Sequence, residues 1–195
     1  MPQGKLVIIS SPSGGGKDSV INALLKIIPN SVRLITTTSR EPRPGNQNGV
    51  DYYFVSVAEF ENKIKNNEMV EYNKYAGNYY GIEKKNLTAA LANNDWVFTQ
   101  IEVNGKQHLD EQNIPNISIF LLPESLEILA KRIRRRGGVN EDKIQERLKI
   151  AQNEIDKSVI YDYQVVNVEG KFEETIAKIR EILQTFIMFD KNKQI

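Results

Sequence analysis

A short apolar strand, a glycine-rich loop and a helix follow one another at the start of the chain. Residues Lys5–Ser10 (KLVIIS) are apolar and rich in β-branched side chains, which is typical of a buried strand. The loop that follows contains Gly14, Gly15 and Gly16 directly before Lys17, and apolar residues then recur at helical spacing over 20–28. This order of elements is the setting of a phosphate-binding loop.

The chemistry of these residues agrees with that interpretation. Glycines let backbone N–H groups approach a polyphosphate closely, and the positive end of the following helix attracts the same anion. Lys17 can reach the terminal phosphates of a nucleotide. A plain glycine-rich turn beside a surface lysine is disfavoured by the flanking strand and helix. We therefore expect a nucleotide to be held by Ser11, Pro12, Ser13, Gly14, Gly15, Gly16, Lys17 and Asp18.

Two positions depart from the usual G-x-x-x-x-G-K-[ST] pattern. Ser11 replaces the first glycine, which is a mild change, and Asp18 replaces the hydroxyl residue that binds magnesium. A carboxylate is also a good oxygen ligand for Mg²⁺, but a carboxylate in the first turn of a helix is equally explained by the helix dipole. Both interpretations of Asp18 stay open. Ser19 lies about 100° further around the helix and cannot simply take its place.

Composition excludes several other kinds of site. The chain has no cysteine, which rules out disulfides, thiolate catalysis and cysteine-ligated zinc, and its single histidine, His108, argues against a histidine-rich metal site. With 26 basic and 25 acidic residues, it has no general attraction for nucleic acid or for an anionic membrane. The apolar run Leu6–Ile9 is too short for a signal peptide or a membrane span. We expect a cytoplasmic protein that binds neither nucleic acid nor a membrane.

Apolar runs and helical periodicities alternate along most of the remaining chain. Strands are predicted at Trp96–Ile101, Ile117–Leu122 and Tyr163–Val166, and helices at Leu126–Arg136, at Glu141–Ile160 and from about Phe172 onward. Such alternation predicts an α/β fold in which helices flank a parallel sheet. The length of 195 residues suits a single domain with a small inserted lobe.

Residues 33–82 differ from that pattern and predict the inserted lobe, of mixed α+β structure. Turn-forming residues are concentrated in Glu41–Gly49, and short strands are predicted at Tyr52–Val55 and Met69–Tyr75. Between these strands, Ser56–Glu59 has the pattern of a capping box that starts a helix.

Several segments resemble the guanylate kinase family, in its order and spacing and over nearly the whole chain. They are Thr36–Gly45, Gly49–Tyr52, Glu68–Tyr72, Gly77–Gly81, Arg132–Gly137, Arg147 and Val165–Asn167. The resemblance implies an enzyme that transfers a phosphoryl group from ATP to GMP with Mg²⁺. It also implies a P-loop kinase core (1–32, 83–125 and 160–195), a GMP-binding lobe (33–82) and a helical lid (about 126–159).

The resemblance also assigns roles in GMP binding. Arg40, Arg43, Tyr52 and Tyr80 match the residues that hold the GMP phosphate, for which arginine supplies forked, charge-assisted hydrogen bonds. Glu71 matches the glutamate that reads guanine, because one carboxylate accepts from both the N1–H and the exocyclic amine. Thr36 and Glu102 match residues beside the base.

The arginine-rich run Lys131–Arg136 taken alone would suggest a nucleic-acid patch or a solvated helix face. In the family, lid arginines close over the transferring phosphoryl group, where catalysis depends on positioning and charge. Arg132 and Arg136, four residues apart on one helical face, match two of these, and Arg147 matches a third. With Lys17 they form the implied catalytic set. Asn167 matches a residue of the ATP adenine region.

Besides the loop, four positions depart from the family pattern: Asn46, Ile82, Gln100 and Glu102. Ile82 stands where serine or threonine is usual, so one contact to GMP is expected to be lost. Gln100 lacks an acidic charge, which together with Asp18 predicts a rearranged metal site. The order Gly16-Lys17-Asp18-Ser19 also resembles ribose bisphosphate phosphokinases, which indicates that Asp18 is compatible with kinase chemistry.

Two alternatives to a guanylate kinase stay open. One is a related small-molecule kinase with a different acceptor, motivated by Ile82 and Glu102. The other is a catalytically inactive guanylate kinase-like module that binds a peptide, although Lys17 and the arginines of the predicted lid argue against it.

Overall fold

A computed structural model describes residues 4–75, 77–138 and 140–192; at Tyr75, Arg136 and residues 187–192 it describes the backbone alone. The chain divides into two compact units, Met1–Ile8 with Pro29–Ile117, and Ile9–Ile28 with Ser118–Ile195. The predicted GMP-binding lobe falls within the first unit and the predicted lid within the second. The exact boundaries of the lobe and the lid stay a prediction.

Strands and helices alternate along both units, which confirms the predicted α/β class. In chain order the elements are β1 (Lys5–Ser10), α1 (Lys17–Ile27), β2 (Ser31–Arg33), β3 (Thr37–Thr38), β4 (Tyr53–Phe54), α2 (Val57–Lys65), β5 (Met69–Tyr75), β6 (Asn78–Glu83), α3 (Lys84–Asn93), β7 (Trp96–Thr99), α4 (Val103–Glu111), β8 (Ile117–Leu122), α5 (Leu126–Arg136), α6 (Glu141–Lys157), β9 (Tyr163–Val166) and α7 (Phe172–Asn192). A short 3₁₀ turn, Ser158–Ile160, follows α6 and completes the predicted helical segment.

The parallel strands of the first unit are β2, β7 and β1. Trp96 of β7 stands in register with Ser31 of β2 and with Lys5 of β1. These strands form a core because their side chains are apolar on both faces, and Val7, Ile8, Val97 and Phe98 are completely buried. Strand β7 ends at Thr99, two residues before its predicted end, because the chain there turns toward α4.

A four-stranded mixed sheet, in the order β4-β3-β6-β5, also belongs to the first unit. Successive side chains of a strand point to opposite faces, and helix α2 covers one face. Phe60 of α2 is fully buried and stacks on the ring of Tyr79 with centroids 5.1 Å apart, and Lys63 donates to Glu83 at 2.9 Å. The predicted capping box between Ser56 and Glu59 starts this helix.

In the second unit, β8 and β9 pair in parallel, and the helices supply most of the core. Leu129 and Ile133 of α5 pack with Ile144 and Ala151 of α6. Helix α7 buries Ile176, Ile179 and Leu183 along one stripe, as its periodicity predicts. Among the residues described, no helix has the length and apolar character needed to cross a bilayer.

Candidate active site

The phosphate loop connects β1 to α1, and the backbone of its glycines defines its shape. Gly16 adopts φ 98° and caps α1, whose first residue is Lys17. This left-handed conformation suits glycine because it has no Cβ. The Lys17 ammonium donates to the Ser11 carbonyl at 2.9 Å, and the Gly15 N–H donates to the Pro12 carbonyl at the same distance. The Lys17 side chain therefore crosses the phosphate loop, where it is expected to bind the phosphates.

Ser11, the departure at the start of the loop, fits because residue 15 is a glycine. The Ser11 side chain is buried, and a Cβ at Gly15 would lie only 2.4 Å from the Ser11 Oγ. Pro12 is also buried, whereas Ser13 is exposed. The loop thus accommodates a serine at this position without a change in its glycine-dependent turn.

Asn167 ties the phosphate loop to the end of β9. Its buried Nδ2 donates to the Gly15 carbonyl at 2.9 Å, and its Oδ1 accepts from the Thr175 hydroxyl at 3.1 Å. A Cβ at Gly16 would lie 2.8 Å from the same Nδ2. The adenine role that the resemblance implies for Asn167 stays a prediction, whereas its contacts in this structure support the phosphate loop.

A cavity of about 340 Å³ lies beside the loop. Its lining includes Gly14, Gly16, Arg132, Asn167 and Glu169. The Arg132 side chain is only 11% exposed; its Nε donates to Glu169 at 2.7 Å and its Nη2 donates to the Asn167 carbonyl at 3.0 Å. The hydrogen bond from Arg132 holds the pKa of Glu169 below its usual value. The structure thus brings Arg132 to the phosphate loop, in an ion pair that sequence reasoning missed.

The other arginines of the predicted lid have different surroundings. Arg135 donates to Glu169 at 3.2 Å but is 72% exposed, and Arg134 donates from Nε to Glu141 at 3.0 Å. Arg147 is half-buried on α6. The side chain of Arg136 lies outside the described part of the chain, so its predicted role stays a prediction.

Asp18 is exposed in the first turn of α1, next to Lys17. Within the described ranges there is no group of three or more acidic or histidine side chains that would hold a metal without further ligands. Mg²⁺ commonly binds through one or two carboxylates together with substrate phosphates, and a single Asp18 beside a phosphate loop fits that donor set. The location also suits a helix-terminal carboxylate, so both interpretations of Asp18 fit the structure.

Three of the four residues expected to hold the GMP phosphate, Arg40, Tyr52 and Tyr80, lie together in the first unit, whereas the Arg43 side chain is exposed. The Arg40 guanidinium lies 5.6 Å from the centre of the Tyr52 ring, and the rings of Tyr52 and Tyr80 meet edge to face at 6.1 Å. Asn46, another departure, organises the group. Its Oδ1 accepts from Arg40 Nη2 and from the Arg43 backbone N–H, both at 3.0 Å.

Glu71, the expected reader of guanine, is a buried carboxylate with an exposure of 5%. Burial, and to a smaller extent the negative charge of Glu102, raises the pKa of Glu71 to about 8. Ile82 stands directly across the strand pair from Glu71 and is completely buried. The departure at Ile82 therefore places an apolar side chain beside the carboxylate.

Gly105 belongs to the candidate site, although the sequence alone did not identify it. A Cβ at this position of α4 would lie 2.4 Å from the Glu71 Oε1. Any residue other than glycine would therefore clash with the carboxylate in its present position. A glycine inside a helical pattern is the signal that points to such a close approach.

The other two residues expected beside the base lie in the same unit. Glu102 precedes α4 as its N-cap residue and accepts from the Asn73 amide at 2.8 Å. Thr36 is half-buried directly before β3, and its carbonyl accepts from the Tyr53 N–H at 2.9 Å.

A family model described as guanylate kinase matches residues 3–186 of the chain. The chain belongs to the guanylate kinase family. A guanylate kinase from Rickettsia bellii is 40% identical over 181 residues, which cover 93% of this chain and 94% of the relative. A guanylate kinase from Lactobacillus acidophilus is 42% identical over 167 residues, which cover 85% and 81%.

The crystal structure of guanylate kinase from Anaplasma phagocytophilum matches with a TM-score of 0.74 and 33% identity, covering 95% of this chain and 87% of that one. Membership of the guanylate kinase family confirms the expected fold and enzyme class. It favours the phosphorylation of GMP by ATP over a changed acceptor or an inactive binding module.

Proposed function

We propose that this enzyme transfers the terminal phosphoryl group of ATP to GMP in line, with Mg²⁺, and that the residues described above carry out the reaction. One observation carries the proposal: a single unit holds a buried glutamate suited to guanine and a separate group of Arg40, Tyr52 and Tyr80 suited to a phosphate. A nucleoside monophosphate presents these two chemistries at its two ends. The cytoplasmic location expected from the sequence stays a prediction.

The acceptor is held at both ends. Arg40 and Arg43 supply charge to the GMP phosphate, and Tyr52 and Tyr80 add phenolic hydroxyls. The Glu71 carboxylate accepts from guanine N1–H and the exocyclic amine, with Thr36 and Glu102 beside the base. Adenine lacks both of these donors on that edge, so Glu71 would face an acceptor and reject it.

The donor is held by the phosphate loop, 11–18. The backbone N–H groups of Gly14 and Gly16, two residues that line the cavity, bind the ATP phosphates, and Asn167 keeps the loop in shape through its bond to Gly15. Lys17 leaves the Ser11 carbonyl to bind the terminal phosphates. Mg²⁺, held by Asp18 together with those phosphates, would neutralise charge that develops during transfer.

Arginine charge completes the site. Phosphoryl transfer gains most from groups that stabilise charge on the transferring oxygens, which we assign to Lys17, Arg132, Arg136 and Arg147. Arg132 must exchange Glu169 for a phosphate oxygen to act in this way. That exchange is the step in which the proposed lid closes and excludes water.

A coupled assay of ADP release with each nucleoside monophosphate tests the proposal. GMP should be the preferred acceptor, and Lys17→Met should lower kcat by several orders of magnitude in a folded protein. Lys26→Met, at an exposed lysine of the same helix, is the matched control and should retain activity. A better acceptor than GMP would favour the related kinase, and no ADP release with any acceptor would favour the inactive module.

A further inference from the structure

The side-chain amide of Asn73 is held in one orientation. Its Oδ1 accepts from the backbone N–H of Lys74 at 2.8 Å, which leaves the NH₂ end to face the other way. That end donates to the Glu102 Oε2 at 2.8 Å. The Asn73 side chain is therefore oriented so that its NH₂ group donates to the Glu102 carboxylate.

The strand register places Asn73 on the face of the mixed sheet that carries the GMP residues. Glu71 stands opposite Ile82, and Asn73 stands opposite Tyr80. Because alternate residues of a strand share a face, Asn73 lies next to Glu71 on β5. It is thus flanked by a residue that we assign to the base and a residue that we assign to the phosphate.

The charge of Glu102 acts on Glu71, so the position of the Glu102 carboxylate matters for the expected guanine site. It is the N-cap residue of α4, but its side chain makes no capping hydrogen bond. A glutamate side chain has many rotamers, and ordering it costs conformational entropy. The hydrogen bond from Asn73 restrains the exposed Glu102 side chain, and the negative charge of Glu102 contributes to the raised pKa of Glu71.

We propose that Asn73 is a positioning residue that holds the Glu102 carboxylate where it accepts a hydrogen bond from the exocyclic amine of guanine. Glu71 and Glu102 then read the base together, and Asn73 contributes to specificity without touching it. This inference rests on the proposed function. It assigns Asn73 to the discrimination of GMP from inosine monophosphate, the nucleotide with the same N1–H but no exocyclic amine.

Steady-state kinetics with GMP and with inosine monophosphate test the assignment. Asn73→Ala should raise KM for GMP about 3- to 10-fold, the range expected for one lost hydrogen bond. Its kcat and its KM for inosine monophosphate should stay within about twofold. Asn73→Asp should raise KM for GMP further, because it places a carboxylate against Glu102.

A double-mutant cycle separates positioning from a general loss of structure. In a Glu102→Ala background, the change Asn73→Ala should have no further effect on KM for GMP. Asn62→Ala, at an exposed amide of α2, is the matched control and should leave both acceptors unaffected.

Equal changes with both acceptors, or additive effects with Glu102→Ala, would overturn the assignment of Asn73. An enzyme that uses GMP while Asn73→Ala has no effect would overturn this inference alone. A parent protein that does not phosphorylate GMP would instead overturn the proposed function.

Discussion

Asn167 donates from Nδ2 to the carbonyl of Gly15 at 2.9 Å, across 152 residues of sequence. This bond fixes the Gly15 carbonyl, and because the C=O and N–H of one peptide group point in opposite directions, it turns the Gly16 N–H away from Asn167. Asn167→Ala should therefore raise KM for ATP about 3- to 10-fold, as expected for one lost buried hydrogen bond, with little change in KM for GMP. Thr175→Val removes only the hydrogen bond from the Thr175 hydroxyl to Asn167 and should raise KM for ATP less. An unchanged KM for ATP in Asn167→Ala would show that the loop keeps its shape without this bond.

Glu71→Gln should weaken the reading of guanine. The amide has the size of the carboxylate, but its NH₂ end faces a guanine donor. The loss in transition-state binding should be roughly 2–4 kcal/mol, or about thirtyfold to a thousandfold in kcat/KM for GMP. ATP binding, measured by titration, should be almost unchanged. A variant as active as the parent would mean that Glu71 does not read the base.

The raised pKa of Glu71 predicts a pH dependence of GMP binding. Only the ionised carboxylate accepts from both guanine donors, so KM for GMP should fall as the pH rises toward about 8 and then level off. The measurement is a pH profile of KM for GMP at constant ionic strength, with Glu71→Gln as the control that lacks this inflection. If KM for GMP showed the same inflection in the parent and in Glu71→Gln, the titrating group would be a residue other than Glu71.

The same carboxylate should make folding stability depend on pH. Because its folded-state pKa of about 8 exceeds the usual 4.5, the folded protein holds this proton more tightly than the unfolded chain. The stabilisation is fully present below about pH 4.5 and is lost as the pH rises to about 8. Glu71→Gln, which does not titrate, should therefore gain in melting temperature relative to the parent over this range. A constant difference in melting temperature would contradict the assignment.

Gly105→Ala should separate stability from activity. Alanine favours a helix by about 1 kcal/mol over glycine, but its Cβ would lie 2.4 Å from the Glu71 Oε1 and must displace the carboxylate. KM for GMP should rise more than about tenfold. Asn104→Ala, at the exposed neighbouring position of α4, is the matched control. Normal GMP kinetics in Gly105→Ala would mean that Glu71 has room to move without losing the base.

Asp18→Ser distinguishes the two interpretations of this residue. If Asp18 binds the metal, the variant should stay active and change the Mg²⁺ concentration that gives half-maximal rate. Identical Mg²⁺ titrations for variant and parent would indicate that Asp18 only stabilises the start of α1.

The local pattern of the sequence predicted the elements that depend on local signals. The bounds of β1, β8, β9 and α5 agree with their apolar runs and periodicity, and the capping box starts α2 as expected. The phosphate loop could also be predicted, because the residues that define it are consecutive in the sequence.

The sequence could not predict contacts that depend on how distant segments pack. Nothing in the order of residues brings Gly105 against Glu71, or Glu169 against Arg132. Asn46 was visible only as a departure, since its two hydrogen bonds require the turn that carries Arg40 and Arg43. Such residues are found from distances and not from motifs.

Helix α2 packs on one face of the mixed sheet, and Glu71 and Tyr80, which we assign to GMP binding, stand on the other. On β6, Tyr79 and Glu83 contact α2, whereas Tyr80 and Ile82 stand opposite Asn73 and Glu71. Selection can therefore act on the two sets of positions separately. Substitutions at alternate residues of β6 can therefore change the acceptor site during evolution, while the residues that pack against α2 stay the same.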